Sequence, residues 1–315
     1  MKKPATQEEF IAAWNKLGSS VLVAKHLGIA KTNVNNRRIT LRKKGINLEA
    51  FNSQRIDDMK ARHHGRLQFD IKNGTIVVFS DAHFWPDDES TAFRALIKFV
   101  EQFRPEYVVC NGDAFSGEAI SRWPRIGWDN KPTVKQEVEA VKHHLDQIEA
   151  SSKGKLIWCL GNHCARYETF LAQHAPQYEG IQGFTLKDHF PRWMPTWSVF
   201  FNNDICIKHR WKGGIHATHN NTVNSGVSMV TGHLHSLKVT PFTDYNGTRY
   251  GVDTGCLAST THKQFADYTE DNPKSWISGF AILTIKDGKL LPPELVQVYD
   301  EEKGEVCFRG AVIQV

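Results

Sequence analysis

The sequence has no apolar run near the roughly 20 residues that a bilayer-spanning helix needs, which excludes a membrane-spanning protein of helical type. Met1-Lys2-Lys3-Pro4 leads into no apolar secretion-signal core, so the expectation is a soluble protein of the cytoplasm, in a bacterial cell or a phage-infected host. Cysteine is scarce: six residues, none in a CxxC pair. Cys110, Cys159 and Cys206 sit inside apolar, strand-like runs, so reduced and mostly buried thiols are expected and a disulfide framework is not. Internal repeats and low-complexity tracts are absent. With 40% hydrophobic and 23% charged residues, the composition excludes a mainly disordered or collagen-like chain.

Charge is present but segregated. Residues 1–66 hold 14 Lys and Arg against 5 Asp and Glu, a net of +9, whereas residues 67–315 hold 25 against 29, a net of −4. A length of 315 residues accommodates a small basic module joined to a larger body. The simplest competing explanation of the charge alone is a solvated basic surface.

The basic segment reads as three short helices. Phe10, Ala13, Trp14 and Leu17 share one face of the first, and Gly18 can end it. Ser19 or Ser20 can cap a second over Val21 to Leu27, closed by Gly28, and a third opens at Lys31 or Thr32 and runs through Arg42 to Gly45. Residues Ser20 to Val34, with Ala24 in the first helix of the pair and Gly28 at the turn, resemble a bacterial or phage helix-turn-helix. The resemblance implies nucleic acid as partner, DNA favoured over RNA, with Lys31, Thr32, Asn33, Asn35, Asn36, Arg37 and Arg42 facing bases and phosphates; such modules often work as a homodimer on paired half-sites, and the sequence leaves the oligomeric state open. A three-helix packing or oligomerisation module is the alternative. The domain expectation is a helix-turn-helix over 1–46, a connector over 47–66 with helix around Leu48 to Met59, and a catalytic domain over 67–315. His63 and His64 are read as solvated linker residues rather than metal ligands.

Beyond residue 67, strand-like and helix-like patterns alternate. Thr75–Phe79, Tyr107–Cys110, Leu156–Leu160, Ile205–Ile207, Val227–Val230 and Gly279–Ile285 read as strands; Thr91–Phe103 and Thr133–Ser151 read as helices. This is an α/β body, parallel at its start and more antiparallel later. Five strand ends carry metal-ligand types: Asp81-Ala82-His83, Gly112-Asp113, Gly161-Asn162-His163, His209, and Gly232-His233-Leu234-His235. Strand carboxyl ends converge on one crevice in such sheets, so these residues can meet in space. Asp, Asn and His together form a mixed oxygen and imidazole set, suited to transition metals more than to a calcium cage.

In the order DxH, GD, GNH, H, GHxH, the set resembles the calcineurin-like metallophosphoesterase superfamily over residues 74–286. That resemblance implies a β-sandwich flanked by helices (αββα) and two divalent metals, Mn²⁺ favoured over Fe, Zn²⁺, Ni²⁺ or Mg²⁺. Asp81, His83 and His235 would bind one metal, Asn162, His209 and His233 the other, and Asp113 would bridge them. His163 would face the leaving oxygen as general acid or electrostatic stabiliser, with in-line attack by a metal-bridging hydroxide. Departing from the family pattern, Cys164 follows Asn162-His163 where an acidic residue is usual. His216 and His219 compete with His209 for the single-His motif, which His209 suits better because it follows an apolar strand directly. Arg166, Tyr167 and Arg210 are candidate substrate contacts, with Lys208 and Lys212 adding positive potential; Trp123, Arg125 and Trp128 offer stacking and charge, or packing.

The superfamily includes phosphatases, cyclic-nucleotide phosphodiesterases and nucleases, so the shared site does not choose a substrate. The basic module favours a nuclease on DNA, of phage or mobile-element type. The alternatives are a phosphomonoesterase such as a Ser/Thr protein phosphatase, and a DNA-binding regulator with a non-catalytic phosphoesterase domain.

Overall fold

The computed structural model describes residues 5–17, 20–46, 48, 65–122, 131–265, 269–270 and 272–315. The chain divides into two units, Met1–His64 and Gly65–Val315.

In the first unit, α1 (Gln7–Leu17), α2 (Ser20–Leu27) and α3 (Lys31–Lys43) surround a small core of Phe10, Ala13, Trp14, Val23, Ala24, Val34, Leu41 and Leu48. The spacing of Phe10, Ala13 and Trp14 puts all three on one face of α1, and all three are buried. Two arginines clamp α3 onto this core. Arg38 lies 4.1 Å over the Trp14 ring and donates to the Leu48 carbonyl, while Arg37 lies over Phe10 and donates to the Ala5 carbonyl at 2.9 Å.

The second unit is a sandwich of two sheets. Its strands are β1 (Arg66–Phe69), β2 (Gly74–Phe79), β3 (Tyr107–Cys110), β4 (Lys155–Cys159), β5 (Met194–Thr196), β6 (Ser198–Phe201), β7 (Ile205–Ile207), β8 (Ser228–Thr231), β9 (Lys238–Asp244), β10 (Gly247–Asp253), β11 (Gly279–Lys286), β12 (Lys289–Leu290), β13 (Glu294–Asp300), β14 (Glu305–Phe308) and β15 (Ala311–Gln314). One sheet runs β15-β14-β13-β11-β2-β3-β4-β5 with β12 beside β11; the other runs β1-β6-β7-β8-β10-β9. The run β2-β3-β4-β5 is parallel, and β11 joins β2 antiparallel, pairing Ile282 with Val77.

The period of two along β2 divides its side chains between two cores. Ile76 and Val78 face the layer between the sheets, with Val109, Ile157, Phe201, Ile207 and Val230. Val77 and Phe79 face helices Thr91–Phe103 and Val134–Ser151, among Phe93, Leu96, Phe99, Val141 and Leu145. Ser90 and Thr133 cap those helices, Thr133 in a capping box with Gln136. On the other sheet, helix Ala217–Ser225 lies so close to β10 that a side chain at Gly251 would strike the Thr218 carbonyl. The layer order is therefore helix, sheet, sheet, helix.

β1 begins at Arg66, inside the stretch expected to be a connector, because Arg66 to Phe69 pair in parallel with Ser198 to Phe201. A single edge pairing to a partner 132 positions away leaves no local pattern to read. The expected helix after Leu48, and His63 and His64, lie outside the described residues, as do Trp123, Arg125 and Trp128. All six cysteines are free thiols, five of them buried.

Candidate metal centre

The body's five motif segments all follow sheet strands, and their first turns are unusual. Asp81, His83, Asp113, His233 and His235 all adopt left-handed backbone conformations, with φ between 42° and 72°. Non-glycine residues rarely adopt this region, and its cost is normally tolerated where geometry serves a function. Neighbouring backbone holds them there. Asp81 N–H donates to the Gly112 carbonyl and His83 N–H to the Asp113 carbonyl, each at 2.9 Å, so the DxH and GD turns lock together. His233 N–H donates to Asp81 Oδ2 and His163 N–H to Asp113 Oδ1, both at 2.8 Å. Gly161 packs against Asp113 so closely that a Cβ there would overlap the carboxylate.

These turns bring two groups of ligand-type side chains together. In one, the ligand atoms of Asp81, His83 and His235 all lie within 4.8 Å of one another; in the other, so do those of Asp113, His209 and His233. Asp113 Oδ2 is 2.9 Å from His209 Nε2, and Asp81 Oδ1 is 3.2 Å from His235 Nε2. His209, and not His216 or His219, is thus the imidazole brought to Asp113. It is buried, whereas His219 is exposed beside Phe242.

The polar bookkeeping fits cations. His209 Nδ1 lies 2.8 Å from the Asn111 carbonyl and must donate to it, which leaves Nε2 facing the Asp113 carboxylate as the atom open to a proton or a cation. His83 Nδ1 meets Ser116 Oγ at 2.9 Å, which leaves its Nε2 as the ligand atom. Asp81 Oδ1, Asn162 Oδ1, His209 Nε2 and His235 Nδ1 are buried without a hydrogen-bond partner. Lone pairs converging in a buried pocket repel unless a positive charge lies between them, and a divalent ion at each group supplies it.

Electrostatics agree with that reading. Burial pulls against ionisation of Asp81, yet the His235 and His209 imidazoles outweigh it and bring the carboxyl down to about 2. Asp113 is also depressed, with burial again opposing and His209 dominating the descent. Both carboxylates are thus ionised at neutral pH. Burial, then His163, drives His83 down to about 3, so its ring is neutral and available as a ligand. His209 goes the other way: burial lowers it, but Asp113 and Asp81 lift it to about 9, so without a cation Nε2 carries a proton toward Asp113 that a bound cation would displace.

His163 stands beside this centre. Its Nδ1 donates to the Ser116 carbonyl at 2.8 Å, and Arg166 also donates to that carbonyl at 2.9 Å. Arg166 Nη2 lies 3.4 Å from His163 Nε2. Burial, partly opposed by Asp113 and reinforced by Arg166, lowers the His163 pKa. Cys164 is fully buried, and desolvation pushes its thiol up to about 12, so it is a neutral packing group and not a nucleophile.

Sequence reasoning missed Ser116, whose hydroxyl orients His83 and whose carbonyl orients His163. It lies three residues past Asp113, where no motif points to it. It also missed Asp253, fully buried at the end of β10. Its Oδ1 accepts from the Ser236 and Gly255 N–H groups, and burial raises its pKa well above the usual carboxylate range.

The sequence signature of calcineurin-like phosphoesterases matches residues 74–253, which takes in every one of these motifs. The chain belongs to the calcineurin-like phosphoesterase family. Divalent metals are the cofactors of this family. The gene 54 proteins of Mycobacterium phages L5 and D29 are each 26% identical to the chain over 247 residues, covering 71% of it and 93% of theirs. Among solved structures, zinc-bound Vps29 of Entamoeba histolytica aligns with a TM-score of 0.40 at 14% identity, over 76% of this chain and 96% of that one. A dimetal phosphatase from Danio rerio aligns with a TM-score of 0.35 at 12% identity, over 72% and 96%. No helix among the described residues is long and apolar enough to cross a membrane.

Within the first unit, Lys31, Thr32, Asn33, Asn35, Asn36 and Arg42 are exposed on α3. Asn35 accepts a hydrogen bond from Ser20 Oγ at 2.8 Å. Arg37 differs from expectation: its guanidinium is turned onto α1, so it braces the helices instead of standing ready for a phosphate.

Proposed function

We propose that this phosphoesterase cleaves phosphodiester bonds of nucleic acid, DNA foremost, and that its basic first unit delivers the strand to the body. The observation that carries the hydrolytic part is the pair of ligand groups, Asp81, His83 and His235 in one and Asp113, His209 and His233 in the other. Asp81, His83 and His235 would hold one cation and Asp113, His209 and His233 the other, with the unpartnered Asn162 Oδ1 a further ligand for the second. When bound, two divalent cations, with Mn²⁺ the favoured ion, would supply Lewis acidity to the phosphoryl oxygens and lower the pKa of an attacking water. The chain's own part is to fix that geometry. Asn111 sets the tautomer of His209, Ser116 orients the His83 ring, and the left-handed turns aim the ligands.

His163, held by Ser116 and flanked by Arg166, faces the departing oxygen; its imidazolium form carries the Nε2 proton that it gives to that oxygen, leaving the neutral ring with Nδ1 still bonded to the Ser116 carbonyl. The nucleic-acid part is supported by the net +9 of residues 1–66 and the exposed polar and basic face of α3, a helix-turn-helix reading in which phosphate contact needs only the charge. Phage relatives suit a cytoplasmic setting in an infected bacterium. Rates with Mn²⁺ on bis(p-nitrophenyl) phosphate, p-nitrophenyl phosphate, a phosphopeptide, and single- and double-stranded DNA test the reading. Diester and DNA turnover is expected to exceed monoester turnover; a monoester preference sinks the nuclease assignment, and no turnover by metal-loaded protein favours a regulator.

A further inference from the structure

A groove of 610 Å³ opens from Asn162 along the helix Cys164–His174. Arg122, Arg166 and Arg210 line it, and among the described residues no carboxylate does. Along the helix, Arg166, Phe170 and His174 follow one another at intervals of four, so they climb a single face at about 5 Å per turn. Phe170 and His174 stack ring on ring, 4.2 Å apart and 22° from parallel, and His174 Nδ1 donates to the Phe170 carbonyl, which fixes the imidazole. Phe170 keeps 37% of its surface open and lines the groove, so the stack presents ring surface to it.

Guanidiniums at the metal end and a fixed aromatic stack farther out match the two halves of a nucleotide, a phosphate and a base. We propose that this groove is a nucleotide subsite. It holds the nucleotide next to the scissile phosphate, with that neighbour's phosphate among Arg122, Arg166 and Arg210 and its base on the Phe170–His174 stack. A base can lie on such a stack only when it is unpaired, so the preferred substrate is a single strand or a frayed end. A phosphoserine or another small monoester would leave both the arginines and the rings without a ligand. The inference rests on the phosphodiesterase reading and narrows its substrate.

Two measurements on the full chain test it. Thymidine 3′,5′-bisphosphate and inorganic phosphate are titrated calorimetrically, with Mn²⁺ present, into the parent protein, Phe170→Ala/His174→Ala and Phe170→Trp. The double variant is expected to bind the bisphosphate about tenfold more weakly, as loss of a stacked base implies. Inorganic phosphate should hardly distinguish the proteins, and Phe170→Trp should keep the parent's affinity. Equal bisphosphate affinity in parent and double variant overturns the subsite, and so does an equal loss for both ligands.

In the second measurement, the ratio of kcat/KM on oligothymidylate to that on bis(p-nitrophenyl) phosphate should fall in the double variant through KM. Duplex DNA should be cleaved more slowly than single strands by the parent, and a duplex cleaved as fast overturns the inference. Absence of any diester turnover would refute the phosphodiesterase reading instead, and the titration would still judge the groove.

Discussion

At the residue scale, the site is an exchange of backbone comfort for ligand direction. Five ligand-type residues sit at positive φ, each at a cost of order 1 kcal/mol or more that the interlocking turns sustain. His163 is different in kind, since it stands beside the ligands rather than among them. His163→Asn should therefore lower kcat by about a hundredfold or more while metal content, measured by atomic emission, stays at the parent's level; apo protein from this variant would reassign His163 as a ligand.

Glu137 offers a pH-dependent test away from the metals. It is fully buried, and burial, partly offset by the Glu118 N–H, raises its carboxyl to about 8 from the usual 4.5. Between those values the folded chain holds a proton that the unfolded chain has released, so stability falls as pH rises through the window. The slope is at most about 1.4 kcal/mol per pH unit. Glu137→Gln should flatten it, with its advantage over the parent in urea midpoint growing from pH 5 to pH 8.

At this scale the sequence was most legible where chemistry forces residue type. Asp81, His83, Asp113, His209, His233 and His235 could be named because few other side chains bind metals. Ser116 could not, because it acts partly through a backbone carbonyl that every residue has.

At the scale of elements, helices and buried strands were readable because their periods are local. Thr91–Phe103 repeats its apolar residues at three and four, and the structure buries Phe93, Leu96, Phe99 and Val100 accordingly. β2, β3 and β4 announced themselves as short apolar runs. β1 and the hairpin of β9 and β10 did not, since both carry half-exposed, mixed residues whose pairing is decided by distant or edge partners. Phe99 tests how much the helical layer contributes. It meets Phe280 and Phe308 edge-on at 5.7 and 5.0 Å with 1% of its surface exposed. Phe99→Ala should lower unfolding free energy by about 3–5 kcal/mol in urea, and a loss below 1 kcal/mol would mean the layer repacks.

At the scale of the whole molecule, the charge asymmetry makes a separable claim. Starting the chain at Gly65 removes the basic unit but keeps the Gly65 carbonyl, which accepts from Trp197 N–H and Thr196 Oγ1 and anchors β1. This truncation should weaken DNA binding and flatten its dependence on salt, followed by fluorescence anisotropy, while bis(p-nitrophenyl) phosphate is still hydrolysed. Unchanged salt dependence would move the DNA contact into the body.

The interlock of the His233 N–H with Asp81 Oδ2 spans 152 residues. A chain leaving the ribosome has completed α1 to α3 by residue 43, but it cannot close the metal centre until His235 has emerged. For most of its synthesis, then, the nascent protein carries a folded first unit and an open metal centre, whose ligand set is complete only once His235 has left the exit tunnel.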